Sequence, residues 1–280
     1  MKKILVPTDF SEQSYFAFET AVSIARKAGA SLHLHHVIEI PDYPEITDIT
    51  AYRLLGTTNV LQSIEERLRD LADSDLCYDL QLTWSIDYDT PYEKITAKAL
   101  EEKIDLIVMG SHGRKGTEKT ILGSTTEKVI RHAPCLVMSI REPIACFSPS
   151  DIVFASDFSG ESATGIHRIL EFAAFYGSTL HLVKITTRQH FETTGVSRQL
   201  MEKFAEKHGL TAYSINSYND YTEEEGILNS ARDLNASLIC VATHVRSGLA
   251  HFIRGSIAEH VSEHAPCPVL VYSINPGKSD

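Results

Sequence analysis

Apolar residues along this chain fall into short runs of four to eight, separated by longer stretches in which they recur at helical spacing. Lys3 to Thr8 is too short an apolar run for a helix and reads as a first strand. Asp9 and Ser11 then supply capping chemistry for a helix running to about Ala28, which Gly29 stops. Ser31 to Ile38 alternates apolar residues with histidines and predicts a second strand. After an acidic, proline-containing connection from Pro41 to about Thr50, a helical pattern runs from Tyr52 to about Ala72. Tyr78 to Ser85 is the expected third strand. Thr90, Pro91 and Glu93 read as a capping box opening a helix to about Lys103. Leu106 to Met109 is a fourth, buried strand. A glycine-containing polar loop leads from it to a helix opening at Gly123, and Cys135 to Ile140 closes the set as strand five. Strands alternating with helices predict an α/β domain with a parallel sheet and right-handed crossovers.

The pattern then starts again. Residues 150 to 183, SDIVFASDFSGESATGIHRILEFAAFYGSTLHLV, align without a gap to residues 2 to 35, KKILVPTDFSEQSYFAFETAVSIARKAGASLHLH. Asp157 matches Asp9 and Gly177 matches Gly29. Near the end, GSIAEHVSEHAPCPVLVYSI repeats GSTTEKVIRHAPCLVMSI, and Thr222 with Glu225 repeats the capping box. The chain reads as two tandem copies, residues 1 to 142 and 150 to 280, joined by a linker near Arg141 to Ser150 that carries Pro143 and Pro149.

Charge narrows the partners. A formal net charge of -11 leaves no clustered Lys and Arg face of the kind that neutralises nucleic-acid phosphates. MKKILVPTDF ends in Pro7 and Asp9 before any secretory apolar core could form, and no later run approaches a membrane-spanning length. Five cysteines, an odd number without a CxxC pair, fit a reducing compartment, so the cytoplasm is expected.

The stretch DLIVMGSHGRKGTEKTILGSTTEKVIRHAPCLVMSI carries the candidate chemistry. Gly110 and Gly113, then nine residues, then Gly123 and Ser124 form a strand, glycine loop and helix start. Glycines let backbone approach an anion, and the N–H groups and positive dipole end of a helix complete a phosphate site. The spacing is neither the dinucleotide fingerprint nor the Walker loop. With HAPC and a final apolar strand following, it resembles the ATP-binding signature of the universal stress protein family, and the resemblance covers nearly the whole chain as a tandem member. It implies two copies of a five-stranded parallel-sheet, Rossmann-like adenine-nucleotide-binding domain with helices on both faces. It also implies pairing of the two copies through their final strands as an intramolecular pseudo-dimer, and allows a homodimer of whole chains. ATP or AMP is the implied ligand. Pro7, Thr8, Asp9 and Met109 would lie beside the nucleotide and Val37 against the adenine, while Gly110, Gly113, Gly123, Ser124 and Thr125 would hold the phosphates. Asp9 would hold ribose hydroxyls or a Mg2+ ion, its plainer role being a helix cap.

Other features read as structural. Arg114, Lys115 and Lys119 are expected on a solvated loop. His33 and His35 share one face of strand two but lack carboxylates at ligand spacing, and Cys135 and Cys267 read as small buried thiols. The second copy has Ala242 and Val245 where the first has Gly110 and Gly113, although Gly255 and Ser256 remain, so one nucleotide per chain is expected. Three functions follow: a nucleotide-dependent regulatory or protective factor with an unnamed protein partner, a slow ATP-hydrolysing or ATP-dependent transferase enzyme, and an interaction module that binds no nucleotide.

Overall fold

A computed structural model describes residues 1 to 39, 57 to 112, 122 to 158, 163 to 244 and 254 to 274. The first copy runs β1 (Lys3–Pro7), α1 (Glu12–Ala28), β2 (Ser31–Ile38), α2 (Thr57–Ala72), β3 (Leu82–Tyr88), α3 (Pro91–Glu101), β4 (Leu106–Gly110), α4 (Ser124–His132) and β5 (Leu136–Ile140). The second runs β6 (Asp151–Ala155), α5 (Ala163–Tyr176), β7 (Thr179–Thr186), α6 (Thr194–Lys207), β8 (Tyr213–Asn219), α7 (Glu223–Asp233), β9 (Leu238–His244), α8 (Arg254–His264) and β10 (Val269–Ile274).

All ten strands form one sheet in the order β3, β2, β1, β4, β5, β10, β9, β6, β7, β8. Pairing is parallel within each copy and antiparallel only where β5 meets β10. At that joint Met138 faces Leu270, flanked by Ser139 with Val269 and Val137 with Val271. The matched residues Met138 and Leu270 thus oppose one another and the flanking pairs are related by exchange of the copies, so a pseudo-two-fold axis passes through the joint. Joining the last strands removes two bare apolar edges from the molecule.

Strand alternation divides the core into two layers. Ile4 and Val6 point, with Met138 and Leu270, to the face covered by α1, α2, α5 and α6, where Phe18, Leu68, Ile169 and Phe204 pack. Leu5 and Val137 point to the other face, where Ile95, Val129, Ile227 and Val261 of α3, α4, α7 and α8 cover them. Across the joint, Lys27 sets its ammonium 4.1 Å above the Tyr176 ring on the first face. On the second face Arg131 clamps Glu259 with both Nε and Nη2, the latter at 2.9 Å.

Two local expectations need correction. The third strand is not Tyr78 to Ser85 but Leu82–Tyr88. The preceding residues turn on themselves, with Cys77 N–H on the Ser74 carbonyl and Leu80 N–H on the Cys77 carbonyl, and Asp79 is drawn into a fork with Arg26 at 2.8 Å. The expected capping box at Thr90 also does not form. Asp89 takes the Thr90 N–H at 2.8 Å, and Glu93 accepts from the Tyr92 hydroxyl at 2.9 Å instead of returning to the cap. Ser11 and Thr222 do cap their helices, accepting from Ser14 and Glu225 N–H groups at 3.2 Å. The expected helical residues before Thr57 lie outside the described residues.

Candidate functional site

The strand order places the reversal of chain direction between β1 and β4, since β2 and β3 are added on one side and β5 on the other. Ligands in open α/β sheets bind beyond the carboxyl ends of strands at such a point. Here the ladder is also shortened. Pairing of β1 with β2 continues to Pro7 with His35, and that of β4 with β5 to Gly110 with Ile140, but β1 and β4 pair only at Ile4 with Leu106 and Leu5 with Ile107. Pro7 and Met109, both buried, lie at the ends of these two neighbouring strands.

The turn leaving β1 is tightly held. Thr8 donates its N–H to the His35 carbonyl at 2.9 Å, and its own carbonyl accepts from Nδ1 of His36 at 2.7 Å. That bond places the proton on Nδ1. The Thr8 hydroxyl accepts from the Phe10 N–H at 3.1 Å and meets the Ser14 hydroxyl at 3.2 Å, while Asp9 Oδ1 accepts from the Ser11 N–H at 3.0 Å. Phe10 is forced to φ 61°, a left-handed conformation that costs a bulky residue energy. Its ring is held between His36, at 4.8 Å between centroids, and the Arg67 guanidinium, at 4.1 Å. The matching Phe158 has φ 54°, so both copies keep this strained turn.

The helix α4 opens at Gly123, a cap residue that has no side chain to offer, with Ser124 exposed. The opening is positioned by two bonds. Gly123 donates its N–H to the Ser111 carbonyl at 2.8 Å, and the Thr126 hydroxyl donates to the Gly110 carbonyl at 2.9 Å. Gly110 also makes room for a helix. A Cβ there would lie 2.9 Å from the carbonyl carbon and Cβ of Gln13, so the first turn of α1 packs directly on the end of β4. Val37, half-buried at the end of β2, completes the wall beside Asp87 of β3. The arrangement offers hydroxyls and N–H donors for an anion, the carboxylates of Asp9 and Asp87, and an apolar flank.

Pro7, Thr8, Asp9, Val37, Met109, Gly110, Gly123, Ser124 and Thr125 thus all lie at the carboxyl edge of the first copy's strands or on the helix that faces it. Gly113, Arg114, Lys115 and Lys119 lie outside the described residues, as does Val245. Ser14, His36, Ser111 and Thr126 were missed by sequence reasoning. Their only signal was nearness to the motif, because each acts by bonding backbone that the fold alone brings close.

The second copy is built differently at the same edge. Pairing of β6 with β9 runs on to Phe154 with Cys240 and Ala155 with Val241, so the ladder continues to the end of β6. Lys184 stands where the first copy has His36. It is buried, donating to the Asp157 carbonyl at 2.6 Å with Glu192 Oε2 at 3.5 Å. Ile185, which matches Val37, presses on α7 so closely that a Cβ on Gly226 would come within 2.5 Å of its Cγ2.

The sequence model of the universal stress protein family matches residues 1 to 141 and again residues 150 to 273. The chain belongs to the universal stress protein family. A curated universal stress protein of Methanocaldococcus jannaschii is 28% identical over 142 residues, covering 51% of this chain and 83% of that protein. A putative universal stress protein of Staphylococcus aureus is also 28% identical, over 141 residues covering 50% of this chain and 84% of its own. Each match is therefore about one copy long. Over its full length the chain resembles the solved structure of a universal stress protein from Archaeoglobus fulgidus, with a TM-score of 0.74, 23% identity, and 97% and 98% of the two chains covered. At that identity the likeness is one of fold, and it extends to the tandem arrangement.

Residues that invited other chemistry are accounted for within this universal stress protein fold. His33 bonds the Thr83 and Ser85 hydroxyls at 2.8 Å through its two ring nitrogens, and burial lowers its pKa. Among the described residues no group of three or more His, Cys, Asp and Glu side chains is placed to hold a metal ion. Burial pushes the Cys135 and Cys267 thiols up to about 12, which makes both poor nucleophiles. No helix among the described residues is long and apolar enough to cross a membrane.

Proposed function

We propose that the first copy binds an adenine nucleotide, ATP or AMP, and that its occupancy makes the chain a nucleotide-dependent regulatory or protective factor in the stress response. The observation that carries this reading is the switch point between β1 and β4, where the ladder stops at Leu5 with Ile107 and the opening of α4 is anchored to Gly110 and Ser111. Pro7, Met109 and Val37 form the apolar flank for the base. Thr8 and Asp9 meet the ribose, and Asp9 is the carboxylate through which a Mg2+ ion would join the nucleotide. Gly110, Gly113, Gly123, Ser124 and Thr125 supply the phosphate cradle, as the family spacing implies. The donor set fits the ligand: the N–H groups of the α4 opening suit phosphate oxygens, and Asp9, in the turn that leaves β1, suits ribose hydroxyls or a Mg2+ ion. The cytoplasm suits such a factor.

The second copy serves as the structural half of the pair, since its β6 to β9 ladder runs to the end of β6 and its corner is filled by Lys184 and Ile185. Mass spectrometry of small molecules released from freshly purified protein tests the reading. Adenine nucleotide near one equivalent per chain is expected; none, with no binding on adding ATP, would leave the interaction module.

A further inference from the structure

The cause of the shortened ladder can be read from the backbone of β1. A strand flanked by two parallel neighbours turns alternate residues toward each. The Thr8 N–H donates to His35 at 2.9 Å and the Lys2 carbonyl accepts from Ser31 at 2.9 Å, so even-numbered residues face β2. The Lys3 carbonyl accepts from Asp105 at 3.0 Å, so odd-numbered residues face β4. Residue 7 is odd. The rung after Leu5 with Ile107 needs its N–H, and proline has none. Pairing toward β4 therefore stops while pairing toward β2 continues to Pro7 itself.

The second copy supplies the control. There the Ser156 N–H donates to Val183 at 3.2 Å and the Asp151 carbonyl accepts from Ser237 at 2.9 Å, so Ala155 faces β9. It keeps its N–H, and the ladder runs through to Ala155 with Val241.

We propose that Pro7 is the positioning residue that keeps the Val108 carbonyl out of the β1 to β4 ladder, and that Ala155 at the matching place engages β9 in the second copy. Pro7 acts by what its backbone lacks. Its carbonyl can still accept, but with no N–H it leaves the Val108 carbonyl for a ligand to use. The longer ladder of the second copy is then a backbone difference, separate from its loss of loop glycines. The binding part of this inference rests on the nucleotide reading of the first copy; the backbone part does not.

The test is Pro7→Ala in the full chain, read by amide hydrogen exchange and by calorimetric titration with ATP. The amide at position 7 should exchange slowly in the ligand-free protein, and the dissociation constant should rise about tenfold, the worth of one or two rungs that the ligand must break. Pro7→Val, which restores the N–H on a strand-favouring residue, should behave alike and carries the test if the alanine variant folds poorly. The reciprocal Ala155→Pro should speed exchange of the β9 amides beside it. Fast exchange at position 7 in both variants overturns the backbone claim. Slow exchange there with unchanged affinity overturns the binding role. A parent that binds no ATP removes the nucleotide reading, and the exchange result still decides whether Pro7 costs the sheet a rung.

Discussion

Gly110→Ala separates the two roles of a glycine that the motif assigns only to phosphate. An added Cβ would sit 2.9 Å from the Gln13 carbonyl carbon and Cβ and 3.0 Å from its carbonyl oxygen. Carbon atoms in contact prefer about 3.5–4.0 Å, so the overlap is about half an ångström or more against backbone, which cannot rotate away. Either the first turn of α1 or the end of β4 must shift. Overpacking of this kind costs about 1–3 kcal/mol, and removing a glycine from the unfolded chain returns about 0.4–1 kcal/mol. The net expectation is a loss of about 1–2 kcal/mol in the absence of any ligand. Urea unfolding of the ligand-free protein measures it as a lower midpoint at unchanged slope. An unchanged or raised midpoint would show that α1 does not press on Gly110, and the glycine would then serve the ligand alone.

Gly123 has φ -62° and lies in ordinary helix-start geometry, so Gly123→Val should leave the unfolding midpoint nearly unchanged while abolishing nucleotide binding; a folded variant with parent affinity would contradict the phosphate role. Burial depresses His35 to about 4 from an unfolded value of about 6.5. The unfolded state then binds more protons between those values, so this group's stability contribution is full above pH 6.5 and falls toward pH 4 by about 3 kcal/mol. His35→Gln should flatten that part of the pH profile, and an unaltered slope would refute the assignment. Leu270, fully buried at the pseudo-two-fold joint, should cost about 2–5 kcal/mol as Leu270→Ala. Leu270→Asp should part the copies, visible as an enlarged radius in small-angle scattering, and an unchanged radius would count against the joint.

Much of the fold was legible because its elements are written in local chemistry. Ser11 and Gly29 bound α1 as expected, with Gly29 at φ 62°, and the repeat of LHL and HAPC announced the two copies before any geometry was known. The third strand was misplaced because Tyr78, Leu80 and Leu82 keep strand alternation through residues that actually turn, and only the pairing of Leu32 with Leu82 fixes the start. Thr90 misled in the same way, since Asp89 competes for the N–H that a cap would need. The edge of the sheet bearing the site was legible from the glycine spacing, but its best-supported features were not. That Pro7 breaks one ladder and spares another depends on which neighbour residue 7 faces, and that follows from strand order. Lys184 filling the second corner depends on the Asp157 carbonyl, which lies far from it in sequence and close in space.

The central claim is that the first copy holds the chain's nucleotide site and the second does not. Equilibrium titration of the full chain with ATP, counted against active protein, tests it most directly. One site per chain, lost in Gly123→Val and kept in Gly255→Val, is the predicted result. Two comparable sites, or a single site that survives Gly123→Val and disappears in Gly255→Val, would contradict it.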